Sequence, residues 1–199
     1  SNAIAAPYFD TVAGITTPAG QSVFQMSDTD LKDLAKGLGF FDSAGNADTS
    51  RVAALIQMAF NQLAQWGFDT SKITSRKILI ALLEQNESEH LFEDHRKNNF
   101  VGVNKTLLAI AQRDAKVAQI MFVLGLAHEL RHETGIDKEH LELDAALAYS
   151  YMQANNISFA QFAAALSGMF ETHDFLEAIL RHVDNARRDA DGAARHSSR

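Results

Sequence analysis

The sequence has no cysteine, only two prolines and one tryptophan in 199 residues, and fewer cationic than anionic side chains. Without cysteine there can be no disulfide, no thiolate ligand and no cysteine nucleophile, so any metal must sit on histidine and carboxylate side chains. The compartment is left open. Lys and Arg number 18 against 25 Asp and Glu, a formal charge of -7. That balance lacks the basic face that nucleic acid requires, so nucleic acid is not an expected partner. No apolar run approaches the roughly 20 residues needed to span a bilayer, so no membrane is expected either.

What is present is the composition of an ordinary globular chain, 46% hydrophobic and 22% charged, long enough for one domain with a real core. Ser1-Asn2-Ala3 looks like a cloning scar and Ile4 is not an initiator methionine. The native chain is therefore expected to be trimmed, having lost a signal peptide or a preceding segment. Both prolines fall in residues 4–25 among Gly and Thr. The expected organisation is a scar and irregular arm over 1–25, a single domain over 26–186, and a frayed, flexible tail over 187–199 that mixes Arg, Asp, Gly, Ala and Ser without period.

Within the domain, Ser27-x-x-Asp30 predicts a cap for a short helix to Lys36, stopped by Gly37. The turn-rich stretch Phe40 to Thr49 reads as a linker. Val52, Leu55, Ile56, Ala59, Leu63 and Trp66 recur at helical spacing up to Gly67. Lys77 to Leu83 reads as a strand, Glu84 to Asp94 as a loop or partial helix, and Asn99 to Asn104 as a strand that Leu107 to Ile110 extend. Asp114 caps a helix whose apolar stripe Val117, Ile120, Met121, Leu124 continues into His128 and His132, ending at Gly135. Asp137 then caps a helix from Lys138 to Gln153, and two more follow over Ser158 to Met169 and Asp174 to Asn185. The resulting fold class is α+β, helix-rich, with a small sheet around residues 77–109 preceding the helix that carries the histidines.

His128-Glu129-Leu130-Arg131-His132 places two imidazoles one helical turn apart on one face, the spacing that two ligands of one zinc ion require. Glu129 lies about 100° further round the helix, where it can reach an attacking water without being a ligand. A third ligand is expected from the following helix, where Glu139, His140, Glu142 and Asp144 crowd the start. Glu142 shares a face with Ala145, Ala146 and Tyr149, small residues for the most part that allow close approach, and is the first choice; His140 is the alternative. Asp144 suits an acceptor that orients a ligating imidazole through its other ring nitrogen, and Glu139 a solvated face. Tyr149, with Tyr151 and His173 behind it, is a candidate donor to an oxyanion.

The stretches Ala127 to His132 and Glu142-Leu143-Asp144-Ala145-Ala146-Leu147-Ala148 resemble the gluzincin metallopeptidases, above all the minimal zincins of the ImmA/IrrE type. The resemblance covers roughly residues 50–155, and only the first motif is specific. The second stretch is similar to the family's E-x-E-A-x-x-F-A pattern, which implies that Glu142 is the third ligand. Phe100 to Leu108 resembles the family's edge strand, which implies that it lines a substrate cleft. The implied cofactor is Zn2+, the implied activity peptide-bond hydrolysis with Glu129 as base, and the implied partner a peptide or protein substrate. The chain departs from the pattern at the charged Arg131 and Glu133 and in the short interval from His132 to Glu142. It also lacks the metzincin ligand, because Lys138 stands at that position.

Three other readings use the same residues. Glu87-x-x-His90 with Glu129-x-x-His132 is the letter pattern of a di-iron helical bundle. A zinc ion can be structural or regulatory, with no peptidase activity. A helical interaction module would hold no metal at all.

Overall fold

A computed structural model of the chain describes residues 24–74, 77–135, 140–169 and 172–197. The architecture is α+β: eight helices and one small sheet among the described residues. Strand β1 (Phe24–Gln25) is followed by α1 (Asp28–Gly37), whose Ser27 hydroxyl accepts from the Asp30 amide, satisfying one orphan donor of the first turn. Helices α2 (Thr49–Gln65) and α3 (Ser71–Thr74) precede β2 (Ile78–Leu83), β3 (Phe92–His95) and β4 (Phe100–Asn104). Then come α4 (Thr106–Arg113), α5 (Ala115–Glu133), α6 (Leu141–Ala154), α7 (Phe159–Leu166) and α8 (His173–Ser197).

The sheet runs β1-β2-β4-β3, with β1, β2 and β4 parallel and β3 antiparallel at the edge. Ile78 and Ile80 in β2, with Val101 and Val103 in β4, turn inward to the helices and are fully buried. Leu79, between the two isoleucines, is 43% exposed, the alternation expected of a sheet with one face covered. Through the register Phe92↔Val103 and Asp94↔Val101, Phe92 and Asp94 of the edge strand turn to that same inward side.

Helix α5 lies at the centre, packed against α2, α4, α6 and β3. It is capped by Asp114, whose side chain accepts from the Val117 amide, and it ends at Gly135, whose φ of +89° is the left-handed conformation that glycine adopts without strain. Val117, Ile120, Phe122, Val123, Leu126, Ala127 and Leu130 are all buried, so the helix is apolar round most of its circumference, as a helix inside a core must be.

Several expectations are corrected. Leu107 to Ile110 do not extend β4; they belong to α4, whose inward positions Leu107, Ile110 and Ala111 follow helical spacing. The edge strand beside β4 is β3, which begins in the acidic stretch expected to be a loop or partial helix, and β4 lies inside the sheet. The stretch Phe40 to Thr49 is more than a linker, since Phe40 is buried and Phe41 bridges Ala47. The segment 187–197, expected to fray, continues α8. Residues 1–23 of the arm, and Asp137, Lys138 and Glu139 of the expected helix start, lie outside the described residues. No described helix is long and apolar enough to cross a membrane.

Gly125 is where the edge strand meets α5. A methyl group added there would overlap the ring of Phe92, so the absence of a side chain lets β3 rest on the helix one turn before His128. Gly125→Ala should destabilise by about 1–3 kcal/mol through overpacking, although alanine is the better helix former by about 1 kcal/mol. Chemical denaturation checks this, with a control: in a Phe92→Ala background the same change should become neutral or stabilising.

Candidate metal centre

The cleft-facing stripe of α5 is Met121, Leu124, Gly125, His128, Glu129 and His132, half-buried except for the buried Leu124, and it forms the floor of a cleft of about 1500 Å³. One wall is the edge strand β3 with the loop before it. The other is formed by Leu141 and Asp144 of α6 and by the α7–α8 junction. The histidines continue a stripe whose Val117, Ile120 and Leu124 are buried, and they end it half-buried, opening onto the cleft between β3 and α6.

On this floor His128 Nε2 and His132 Nε2 approach to 3.3 Å. Two imidazole nitrogens bound tetrahedrally to one zinc at about 2.0–2.1 Å stand roughly 3.3–3.4 Å apart, so the pair fits a shared ion. His128 turns its other nitrogen inward, and Nδ1 meets Asp144 Oδ2 at 2.8 Å. That contact fixes the ring plane and, with the proton on Nδ1, leaves Nε2 its lone pair for a metal. Glu129 lines the cleft beside the imidazoles.

Behind Asp144 sits Arg131, with a fully buried guanidinium. Its Nη1 donates to Asp144 Oδ1 at 3.2 Å, its Nη2 is 3.0 Å from His128 Nδ1, and its Cζ lies 5.7 Å from the Trp66 ring centroid. An arginine three residues after His128 thus ties α5 to α6 and rests on the indole from the C-terminal end of α2. Sequence reasoning treated this charge only as a departure from a motif. The available signal was its i+3 spacing from His128 combined with a downstream aspartate.

Burial pulls the pKa of His128 down, but the hydrogen bond and charge of Asp144, with Glu129 adding, outweigh it and leave the group above the ordinary histidine value. In zinc-free protein the raised pKa contributes stability that is fully present below about pH 6.5 and is lost as pH rises through the folded value. Zinc requires the neutral ring, so its affinity runs the opposite way and is lost as pH falls through the same value. The difference in Tm between zinc-loaded and chelator-treated protein should therefore widen from pH 6 to pH 8, as differential scanning calorimetry can measure.

The other expected site residues lie elsewhere. Glu142 is largely exposed and accepts from Arg181 Nη2 at 2.7 Å, with His182 Nε2 at 3.8 Å. Two residues along a helix differ by about 200°, so when Asp144 faces α5, Glu142 must face α8. His140 is at the N-cap of α6 with its ring against Phe68. Tyr149 stacks on His182 and accepts from Gln153; Tyr151 is buried. His173 is exposed, paired with Glu177. Among the described residues no third imidazole or carboxylate joins the two Nε2 atoms; the only grouping of three potential ligands is the exposed His173, Asp174 and Glu177. Glu142→Ala should leave zinc content unchanged, as metal analysis of the purified variant would report. The di-iron pattern is not met, because Glu87 lies in a 3-10 turn and His90 in the loop before β3, so that pair has no helix to align it.

No protein-family model, no curated protein and no solved structure matches this chain. The class of protein therefore rests on the site.

Proposed function

We propose that the chain is a zinc-dependent metallopeptidase, with His128 and His132 as ligands and Glu129 as general base. The observation that carries this reading is the 3.3 Å convergence of the two Nε2 atoms on the floor of an open cleft with Glu129 beside them. A structural zinc is enclosed by its ligands, whereas a catalytic one keeps a position open, and this pair faces a cleft large enough for a peptide. Zinc bound here supplies a Lewis acid and lowers the pKa of water toward about 7. Glu129 takes the proton of the attacking water and passes it to the departing amine. Asp144 holds the His128 ring, and β3 offers an extended backbone edge alongside which a substrate strand can lie.

The reading is tested by Glu129→Gln in zinc-reconstituted protein. Zinc content should be retained while zinc-dependent hydrolysis of a peptide library falls by at least about 10²-fold, the scale of a lost acid-base group. Wild-type protein that binds zinc but cleaves nothing in such a library would leave a structural or regulatory centre in its place.

A further inference from the structure

The cleft that contains the histidines has two chemically different parts. Upstream of the motif the lining is apolar, with Met121 and the largely buried Leu124 of α5 and Phe175 of α8. Acidic side chains line it on both sides: the exposed Glu89 on the β3 side, with Asp94 turned inward below it, and the exposed Asp174 in the first turn of α8 on the other. Glu93 adds to the β3 side, its carboxyl held below the usual range chiefly by the Ser88 hydroxyl donating at 2.7 Å. No lysine or arginine lines the cleft among the described residues, although the chain has 18 of them. Arg131 lies behind His128, engaged by Asp144.

Opposed rims of one sign above low-dielectric walls focus the field into the cleft. An incoming anionic segment meets like charge on both sides, a cationic one meets a partner on each. The apolar floor between the rims rewards one large nonpolar side chain next to the reacting bond. We propose that the cleft selects extended peptide segments in which a large apolar residue beside the scissile bond is flanked by lysine or arginine. The apolar side chain lies over Met121 and Leu124, and the flanking cations reach the Glu89 and Asp174 rims. The inference rests on the peptidase reading of the same cleft and adds to it the class of substrate.

The test uses zinc-reconstituted Glu129→Gln protein, so that binding is read without turnover. Two short fluorescein-labelled peptides share a central Leu-Phe pair and differ only in Lys or Glu flanks. Fluorescence anisotropy should show the Lys-flanked peptide binding about tenfold tighter or more at low salt, with the preference shrinking as salt rises. Adding Glu89→Gln and Asp174→Asn, exposed positions on opposite rims, should remove most of the preference. Asp191→Asn, which removes one negative charge from the exposed far part of α8, should not. Equal affinities, no binding of either peptide, or a preference untouched by the rim substitutions would overturn the proposal. Cleavage by the wild type is scored separately. Equal hydrolysis of both peptides keeps the peptidase reading and overturns the selection; selective binding without hydrolysis keeps the selection and overturns the peptidase reading.

Discussion

Replacing either His128 or His132 by alanine should abolish zinc binding, taking the content of reconstituted protein from about one ion per chain, the stoichiometry of a single site, to background. Nothing else among the described residues stands ready to compensate, because no third imidazole or carboxylate shares the space between the two Nε2 atoms. The two variants should differ in what they do to the zinc-free fold. His128 is tied by Nδ1 to Asp144, so its loss leaves that carboxylate with Arg131 alone and should lower stability. His132 lines the cleft, and its loss leaves the contacts of Asp144 with His128 and Arg131 in place. Zinc also stabilises the wild type by mass action, by about 2.7 kcal/mol when free zinc is a hundred times Kd. Metal analysis by plasma mass spectrometry, with Tm measured in zinc and in chelator, reads both effects. Zinc retained at one per chain in both variants would remove the site from this helix.

The second large effect is at Arg131. Arg131→Met keeps the packing volume but leaves the mostly buried Asp144 without its cation, and breaking a buried pair from one side costs about 3–5 kcal/mol. Combining it with Asp144→Leu removes both charges and should recover most of that stability, since apolar replacement of a buried pair is often neutral or better. Zinc affinity should not recover. Without the Asp144 carboxylate His128 loses the acceptor that fixes its ring, a loss worth about 10- to 100-fold in metal affinity. The double variant thus separates what the pair does for the fold from what it does for the site. Guanidinium denaturation and competition with a chromophoric chelator measure the two quantities. Recovery of both together would reduce Arg131 and Asp144 to packing.

The consequences of these substitutions depend on contacts that were unevenly legible in the chain. The Asp114 cap, the helix it starts and its stop at Gly135 were readable because caps and left-handed glycines act through bonds a few residues apart. The strand Ile78 to Leu83 was readable as a short apolar run of strand length, although its period alone does not separate strand from helix. The edge strand was not, because Phe92-Glu93-Asp94-His95 is charged on both faces and has no period-2 alternation. It becomes a strand by pairing with β4 and by setting Phe92 on Gly125. The interior glycine was itself a signal, since a residue so costly in a helix usually marks a close approach. The helix over Thr106–Arg113 was missed for a related reason: its first apolar positions follow a strand directly, and a short apolar run does not state its own period.

The sequence by itself determined the His128, Glu129 and His132 constellation, since a helix of fixed pitch leaves no choice about which residues share a face. It also determined that any metal here rests on nitrogen and oxygen donors, since the chain has no thiol. Only the tertiary structure decided what surrounds that face. The rotation of α6 about its own axis puts Asp144 on His128 and sends Glu142 to Arg181, and nothing within α6 fixes that angle. It is set by packing against α5 on one side and α8 on the other, through contacts between residues that lie up to 39 positions apart. Helical geometry is local and repeats every turn, whereas the choice of neighbour for each face is made by the whole core at once.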